Sequence, residues 1–384
     1  MRFEFATAAR IITGAGTVRE AADIAKGFGN RALLVTGRDT KRASPLLENL
    51  AKAGVATVTF SVAGEPELAT VEQGTALAKK EDCGLVIGFG GGSALDAAKA
   101  IAAMLTNEGA LLDYVEIIGR GKTLTKPPMP FIAIPTTAGT GTEVTRNAVL
   151  SAPEHKLKVS LRSLLMLPKV AIVDPELTCD LPPALTASTG LDALTQLIEP
   201  FVCMRANPIT DGLCVNGIRR AARSLRVAFK DGKDKHARED MSVASLFGGM
   251  ALANAGLGAV HGFAGPIGGS FPAPHGAVCA ALLPHVVEAN IRALRARARD
   301  GAALPRFDKV AQLLTGNAGA SADDGVEWLR KLVADLQIPR LGKYGIGEEH
   351  VRDLATKAAN ASSMKANPIA LTEEELSCTL LQAL

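Results

Sequence analysis

The sequence predicts an α/β nucleotide-binding domain followed by an all-helical domain. Three observations carry that expectation. Five short, continuously apolar runs alternate with helix-length segments in the first half. Such runs vanish in the second half, where long amphipathic stretches take over. A glycine-rich corner joins one of the apolar runs to the helix after it.

The runs are ALLVT (32–36), ATVTF (56–60), LVIGF (85–89), FIAI (131–134) and VAIV (170–173). Each is bounded by Gly, Pro or Asp, and continuous apolarity is expected of parallel strands buried on both faces. Helix-length segments over 44–54 and 68–80 lie between them, so a mainly parallel sheet follows. After Asp174-Pro175 the pattern becomes helical over 183–204, 209–229, 242–255, 324–336 and 348–362. A chain of 384 residues needs more than one core. The expected division is 1–179 and 180–384.

Hydrophobic residues make up 47% of the chain and charged ones 21%, as in a packed globular protein. A net charge of +3, with one Trp and two Tyr, gives nucleic acid little to bind or stack on. The N-terminus interleaves charge with apolar residues and has no signal-peptide core. The six cysteines show no CxxC spacing and read as reduced, mostly buried thiols. A soluble, cytoplasmic protein is expected. Residues 241–287 carry no formal charge, yet polar residues, prolines and glycines break them up. They read as a pair of buried helices joined by a polar turn, with no membrane span.

Gly88-Phe-Gly-Gly-Gly-Ser93 runs from an apolar strand directly into a helix over 94–105. Consecutive glycines let the backbone approach an anion, and a helix N-terminus favours negative charge. Ser93 is expected to cap the helix, with Asp96 closing a capping box. The same loop also fits a plain strand-to-helix corner without a ligand. Pro135-Thr-Thr-Ala-Gly-Thr-Gly-Thr142 follows the next strand, and its hydroxyls suit a ligand at the carboxyl end of a sheet. Gly14-Ala-Gly16 completes no dinucleotide fingerprint, because Arg19 stands where the last glycine belongs.

In the helical half, Asp192 and Gln196 share one helix face at i, i+4. His261 and His275 lie on either side of a Gly/Pro-rich segment. One carboxylate and two imidazoles suit a divalent metal such as Fe(II) or Zn(II). Hydrogen-bonded core histidines fit the same spacing.

Taken together, GGGSALDAAK (90–99), AIPTTAGTGTEVT (133–145), VDP (173–175), TGLDAL (189–194), the two histidines and Asn367-Pro368 resemble the iron-containing (group III) alcohol dehydrogenases. The resemblance covers nearly the whole chain in the family's order. It implies a dehydroquinate synthase-like fold, with the active site in a cleft between the domains. It also implies hydride transfer between NAD or NADP and a small alcohol, aldehyde or ketone, and a homo-oligomer. By the same resemblance Gly91, Gly92, Ser93 and Asp96 belong to the pyrophosphate motif. Thr136, Thr137 and Thr140 line the cofactor, and Lys158 stands near the nicotinamide ribose. Asp192, His261 and His275 match three of four metal ligands, and the histidines share in catalysis.

Three departures follow from that comparison. Gln196 stands where the family's fourth ligand, a histidine, is expected, and an amide oxygen is a poorer partner for Fe(II) or Zn(II). Gly265 stands where many members carry a proton-relaying histidine, which leaves water or the cofactor ribose as the route. Gly37 replaces the aspartate that receives the adenosine ribose in NAD-preferring members. Arg38, Lys41 and Arg42 follow it, which favours the 2′-phosphate of NADP, while Asp39 offers NAD a shifted carboxylate. Two alternatives stay open: a metal-independent reductase of oxo acids, similar to maleylacetate reductases, and a non-catalytic nucleotide-binding relative.

Overall fold

The protein is described from a computed structural model covering residues 2–384. The chain folds into two compact units. One comprises residues 6–137 and 141–178, and the other residues 2–5, 138–140 and 179–384.

The first unit runs β1 (Arg10–Thr13), α1 (Ala21–Lys26), β2 (Arg31–Thr36), α2 (Ser44–Lys52), β3 (Ala56–Ser61), α3 (Leu68–Lys80), β4 (Leu85–Gly90), α4 (Gly92–Thr106), β5 (Phe131–Pro135), β6 (Asn147–Ala152), β7 (Leu157–Arg162) and β8 (Val170–Val173). Six of these strands form one sheet in the order β1-β8-β5-β4-β2-β3, every neighbouring pair parallel. Side chains alternate between two cores. Leu33, Val35 and Val86 join α3 and α4 on one face, while Ala32, Leu34 and Ile87 join α1 and α2 on the other. The central strand β4 is buried at every position, whereas the edge strand β3 is not. That accounts for the continuous apolar runs.

β6 and β7 pair antiparallel as a separate ribbon. Their outward positions alternate polar with apolar, so they show no continuous run and escape the sequence reading. β1 escapes it because four half-exposed residues leave too short a signal.

The strand order places the ligand end. From β2 the chain goes outward to β3, then crosses back to β4 on the other side of β2. The carboxyl ends of β2 and β4 therefore flank a topological switch point, where open α/β sheets bind their ligands.

The second unit is built from α5 (Pro183–Val202), α6 (Pro208–Lys230), α7 (Lys235–Asn254), α8 (Ala259–Ser270), α9 (His275–Arg297), α10 (Ala303–Thr315), α11 (Ala322–Asp335), α12 (Val351–Ala359) and α13 (Glu373–Ala383). They enclose one apolar core. The uncharged stretch 241–287 is three helices rather than the expected pair: the end of α7, all of α8 and the start of α9. Gly256 at φ +113° marks the first break, and Pro272 and Pro274 mark the second. α9 is long and apolar enough to cross a membrane, but 83% of its most apolar window is buried inside the protein. It is a core helix.

Candidate active site

At the switch point three loops leave adjacent strand ends. Gly90 pairs with Pro135 across β4 and β5, and Thr136 donates its backbone N–H to the Gly90 carbonyl at 2.9 Å. A Cβ on Gly90 would lie 2.6 Å from the Ala94 methyl and 3.3 Å from the Gly37 nitrogen. A Cβ on Gly88 would lie 2.8 Å from Leu95. These two glycines are the ones that let α4 close onto the sheet.

The expected Ser93 cap is not formed. α4 begins one residue before Ser93, with Gly91 as its N-cap and no side chain accepting from its first turn. Ser93 and Asp96 thus lie inside the helix, and the expected capping box is absent. The sequence reading placed the helix start too late because Gly92 looked like loop.

Gly37 directly follows β2, and a Cβ there would meet nothing within 4 Å. Arg38 is exposed and donates to the Ala63 carbonyl at 3.2 Å, and Arg42 donates to the Leu177 carbonyl at 2.7 Å. The Asp39 carboxylate accepts the Lys41 N–H at 3.1 Å, capping the turn after it. The Asp174 carboxylate, from the VDP motif, accepts the N–H groups of Gly16 and Val18 at 3.1 Å each and pins the turn after β1. Lys158 sits on β7, where its Nζ donates to the Glu65 carboxylate at 2.5 Å.

The threonine loop is held from beneath. Lys99, 1% exposed on α4, gives its Nζ to the carbonyls of Thr142, Thr145 and Asn147 and to the Thr145 hydroxyl, at 2.7–3.0 Å. Burial draws its pKa down to about 8, which still leaves it charged at neutral pH, with Asp96 and Glu143 holding it up. Lys99 is a structural strut, not a cofactor contact.

In the helical unit Asp192 lies on α5, His261 on α8, and His275 opens α9. Asp192 Oδ1 stands 3.4 Å from His261 Nε2 and 3.7 Å from His275 Nε2. Sequence reasoning missed a fourth group, Cys279. One turn after His275 on the same helix face, its Sγ is 3.7 Å from His275 Nε2 and 3.9 Å from His261 Nε2. The donor atoms of Asp192, His261, His275 and Cys279 all lie within 4.8 Å of one another. The i, i+4 spacing from His275 was the signal available, hidden by reading the cysteines as inert thiols.

A second set of groups holds this cluster. Glu199, about two turns after Asp192 on α5, divides its carboxylate. Oε2 accepts from His261 Nδ1 at 2.6 Å, and Oε1 accepts the Val260 N–H at 2.7 Å. The first contact fixes the His261 tautomer with Nε2 free to ligate, and the second caps α8. Asn367, from the Asn-Pro motif, accepts the neighbouring Ala259 N–H at 3.1 Å. A Cβ on Gly258 would collide with both caps, at 2.9 and 3.0 Å.

The chemistry of the cluster suits a cation. Asp192 is 1% exposed and its Oδ1 has no hydrogen-bond partner; Gln196 Oε1, also buried, has none. Burial opposes charge on Asp192 and Cys279, yet His275 and His261 outweigh it and hold both below their usual ranges. Burial likewise opposes charge on His261, but Cys279 and Glu199 lift its pKa well above the ordinary value. A carboxylate and a thiolate are the forms a divalent ion binds, and such an ion would supply the positive charge in place of the imidazolium protons. Gly265 lies one turn after His261, and a Cβ there would meet nothing within 4 Å.

A parallel-sheet α/β unit stands in one chain with a helical unit whose Asp/His/His/Cys group could hold a metal ion. Comparison with known proteins names the family. The family model for iron-containing alcohol dehydrogenase matches residues 8–175, and the C-terminal model of the same family matches residues 186–384. Alcohol dehydrogenase 4 of Saccharomyces cerevisiae is 41% identical over 322 residues, covering 83% of this chain and 80% of that one. The NAD-dependent methanol dehydrogenase of Bacillus methanolicus is 32% identical over 384 residues, covering 97% of each. A crystal structure of a 1,3-propanediol oxidoreductase superposes with a TM-score of 0.92 at 35% identity, covering 100% of both chains. The chain belongs to the iron-containing alcohol dehydrogenase family, whose members act on CH–OH groups.

Proposed function

We propose that this protein reduces a small aldehyde or ketone, and oxidises the matching alcohol, with NADP preferred over NAD and a divalent metal at the Asp192, His261 and His275 cluster. The observation that carries the reading is that cluster of gathered donor atoms, buried at Asp192 and Cys279, with an orphaned carboxylate oxygen on Asp192. A metal bound there would supply Lewis acidity to the substrate oxygen. The residues supply the rest. Gly91, Gly92 and Ser93 present the uncapped first turn of α4 to the pyrophosphate. Thr136, Thr137 and Thr140 face the cofactor from the threonine loop, and Lys158 reaches the nicotinamide ribose by leaving Glu65. Glu199 keeps His261 Nε2 aimed at the cluster. With Gly265 in place of a relay histidine, the substrate proton travels by water or a ribose hydroxyl.

The NADP preference rests on Gly37, which offers no carboxylate to a ribose hydroxyl, and on exposed Arg38 beside it. Asp39 is occupied with the Lys41 N–H and does not replace it. The test is absorbance of NADPH and NADH with a panel of aldehydes, ketones and oxo acids, each with Zn(II), Fe(II) or chelator. Turnover with NADPH that chelator abolishes is expected. Turnover unaffected by chelator would favour the metal-independent oxo-acid reductase, and no turnover under any condition would remove the dehydrogenase reading. Replacing Gly37→Asp is expected to shift the NADPH/NADH ratio of kcat/KM toward NADH by more than tenfold, about 1.4 kcal/mol. No disulfide joins the cysteines among the described residues, which suits a reducing, cytoplasmic setting, and light scattering tests the homo-oligomer the family suggests.

A further inference from the structure

We infer that Cys279 is a thiolate ligand of the metal, taking the coordination position that Gln196 leaves unfilled. The inference rests on the metal-dependent reading above and adds the identity of the fourth donor.

The geometry distinguishes the two candidates. A tetrahedron built on Zn–N and Zn–O bonds of about 2.0–2.1 Å and a Zn–S bond of about 2.3 Å has donor–donor edges of roughly 3.3–3.6 Å. Four of the six edges between Asp192, His261, His275 and Cys279 are 3.4, 3.7, 3.7 and 3.9 Å, and the other two lie within 4.8 Å. The four exceed the ideal by a few tenths of an ångström, so the donors stand close to ligation spacing. Cys279 Sγ is nearly equidistant from the two imidazole Nε2 atoms, as a fourth vertex should be. It is fully buried, so it has no other solvent-facing role.

Gln196 is the weaker candidate. Its Oε1 is buried without a hydrogen-bond partner, yet a neutral amide oxygen is a poorer donor than a thiolate for a borderline metal. Gly248 of α7 lies against its side chain, a Cβ there standing 3.2 Å from the Gln196 Cβ. The substitution of a histidine by Gln196 and the presence of Cys279 are thus two halves of one exchange. One imidazole is lost from α5 and one thiolate is gained from α9. The donor set then carries two negative charges, Asp192 and Cys279, against one for a carboxylate with three neutral imidazoles. With a divalent ion the formal charge of the site falls from +1 to zero, and the softer sulfur favours zinc or cobalt over iron.

The test uses the full-length protein loaded anaerobically with one equivalent of Co(II). The wild type should show a near-ultraviolet thiolate-to-cobalt charge-transfer band. Cys279→Ser should lose the band and weaken metal binding by more than about tenfold, since even outer partners of a ligand are worth 10–100-fold. Gln196→Leu should keep the band. X-ray absorption of the wild-type zinc protein should show one sulfur at about 2.3 Å, a reading that does not depend on any variant folding. Bound cobalt without the band, a band that survives Cys279→Ser, or zinc with only nitrogen and oxygen neighbours would each overturn the assignment. A cobalt enzyme that turns over without the band leaves the dehydrogenase reading standing and removes this one. A protein that shows the band but reduces no carbonyl does the reverse.

Discussion

Single side chains here carry two duties at once, and Glu199 is the clearest case. Its two oxygens cap α8 and orient His261. Glu199→Gln keeps the size but changes one acceptor into a donor. Metal affinity is therefore expected to fall 10–100-fold by chelator competition, with α8 losing part of its cap, about 1 kcal/mol. Equal metal affinity in the variant would mean that His261 is held by packing alone. At Gly265 the open space permits a test in the opposite direction. Gly265→His is expected to fold normally and to shift the pH profile of kcat, because an imidazole there would titrate along the proposed proton route. An unchanged profile would place the proton route elsewhere. At this scale residue type and spacing left Asp192, His261 and His275 open between a metal site and core histidines, and the family resemblance singled them out as candidate ligands. Asp192, His261 and His275 come together because three helices converge, which no spacing in the chain encodes. Cys279 was readable by its i, i+4 relation to His275, but only once His275 was known to open a helix.

At the scale of elements, α4 decides whether the nucleotide end forms. Gly88→Ala would place a methyl 2.8 Å from Leu95 and press α4 off the sheet. A loss of about 1–3 kcal/mol and weaker NADPH binding are expected, measured by thermal melts and titration. Lys99→Met would remove the one donor that ties together the Thr142, Thr145 and Asn147 carbonyls. A buried acceptor left unpaired costs about 1–3 kcal/mol, so the threonine loop should become protease-sensitive first. Glu143, buried in the same loop, has its carboxyl raised to about 7 by burial, against a lowering by its own backbone N–H and by Lys99. A carboxyl raised above its unfolded 4.5 adds stability that is present below pH 4.5 and lost as pH rises through 7. The melting temperature of the wild type should therefore fall relative to Glu143→Gln between pH 5 and 7; parallel curves would show that Glu143 is already ionised. The elements legible in the sequence were those with one dominant period. Five sheet strands and the helices at 44–52 and 68–80 were so marked. The ribbon β6–β7 alternates too weakly, α7 starts earlier than expected because its first turn, Lys235-His-Ala-Arg-Glu-Asp240, is polar, and α10 and α13 passed unnoticed. α13 carries its sequence signal in a capping box at Thr372 and Glu375 rather than in an apolar run.

For the whole molecule, the division into units does not follow a single cut in the chain. Residues 138–140 belong with 179–384, and Ala138 is part of the helical core. Expressing residues 179–384 alone should therefore give a helical but poorly cooperative fragment that binds a hydrophobic dye, whereas the intact chain melts sharply. A fragment that melts as sharply as the whole would show the strip to be dispensable. The same strip sets an order of events during synthesis. The α/β unit has all of its chain once Thr178 has left the ribosome, yet the strip it carries must wait for helices that are not yet made. Strand pairing can finish early, while the threonine loop beside Thr137 gains its final shape only when α5 and the helical core behind Ala138 and Gly139 have formed. Refolding followed by sheet signal and by NADPH fluorescence should separate into two phases, with cofactor binding appearing in the later one.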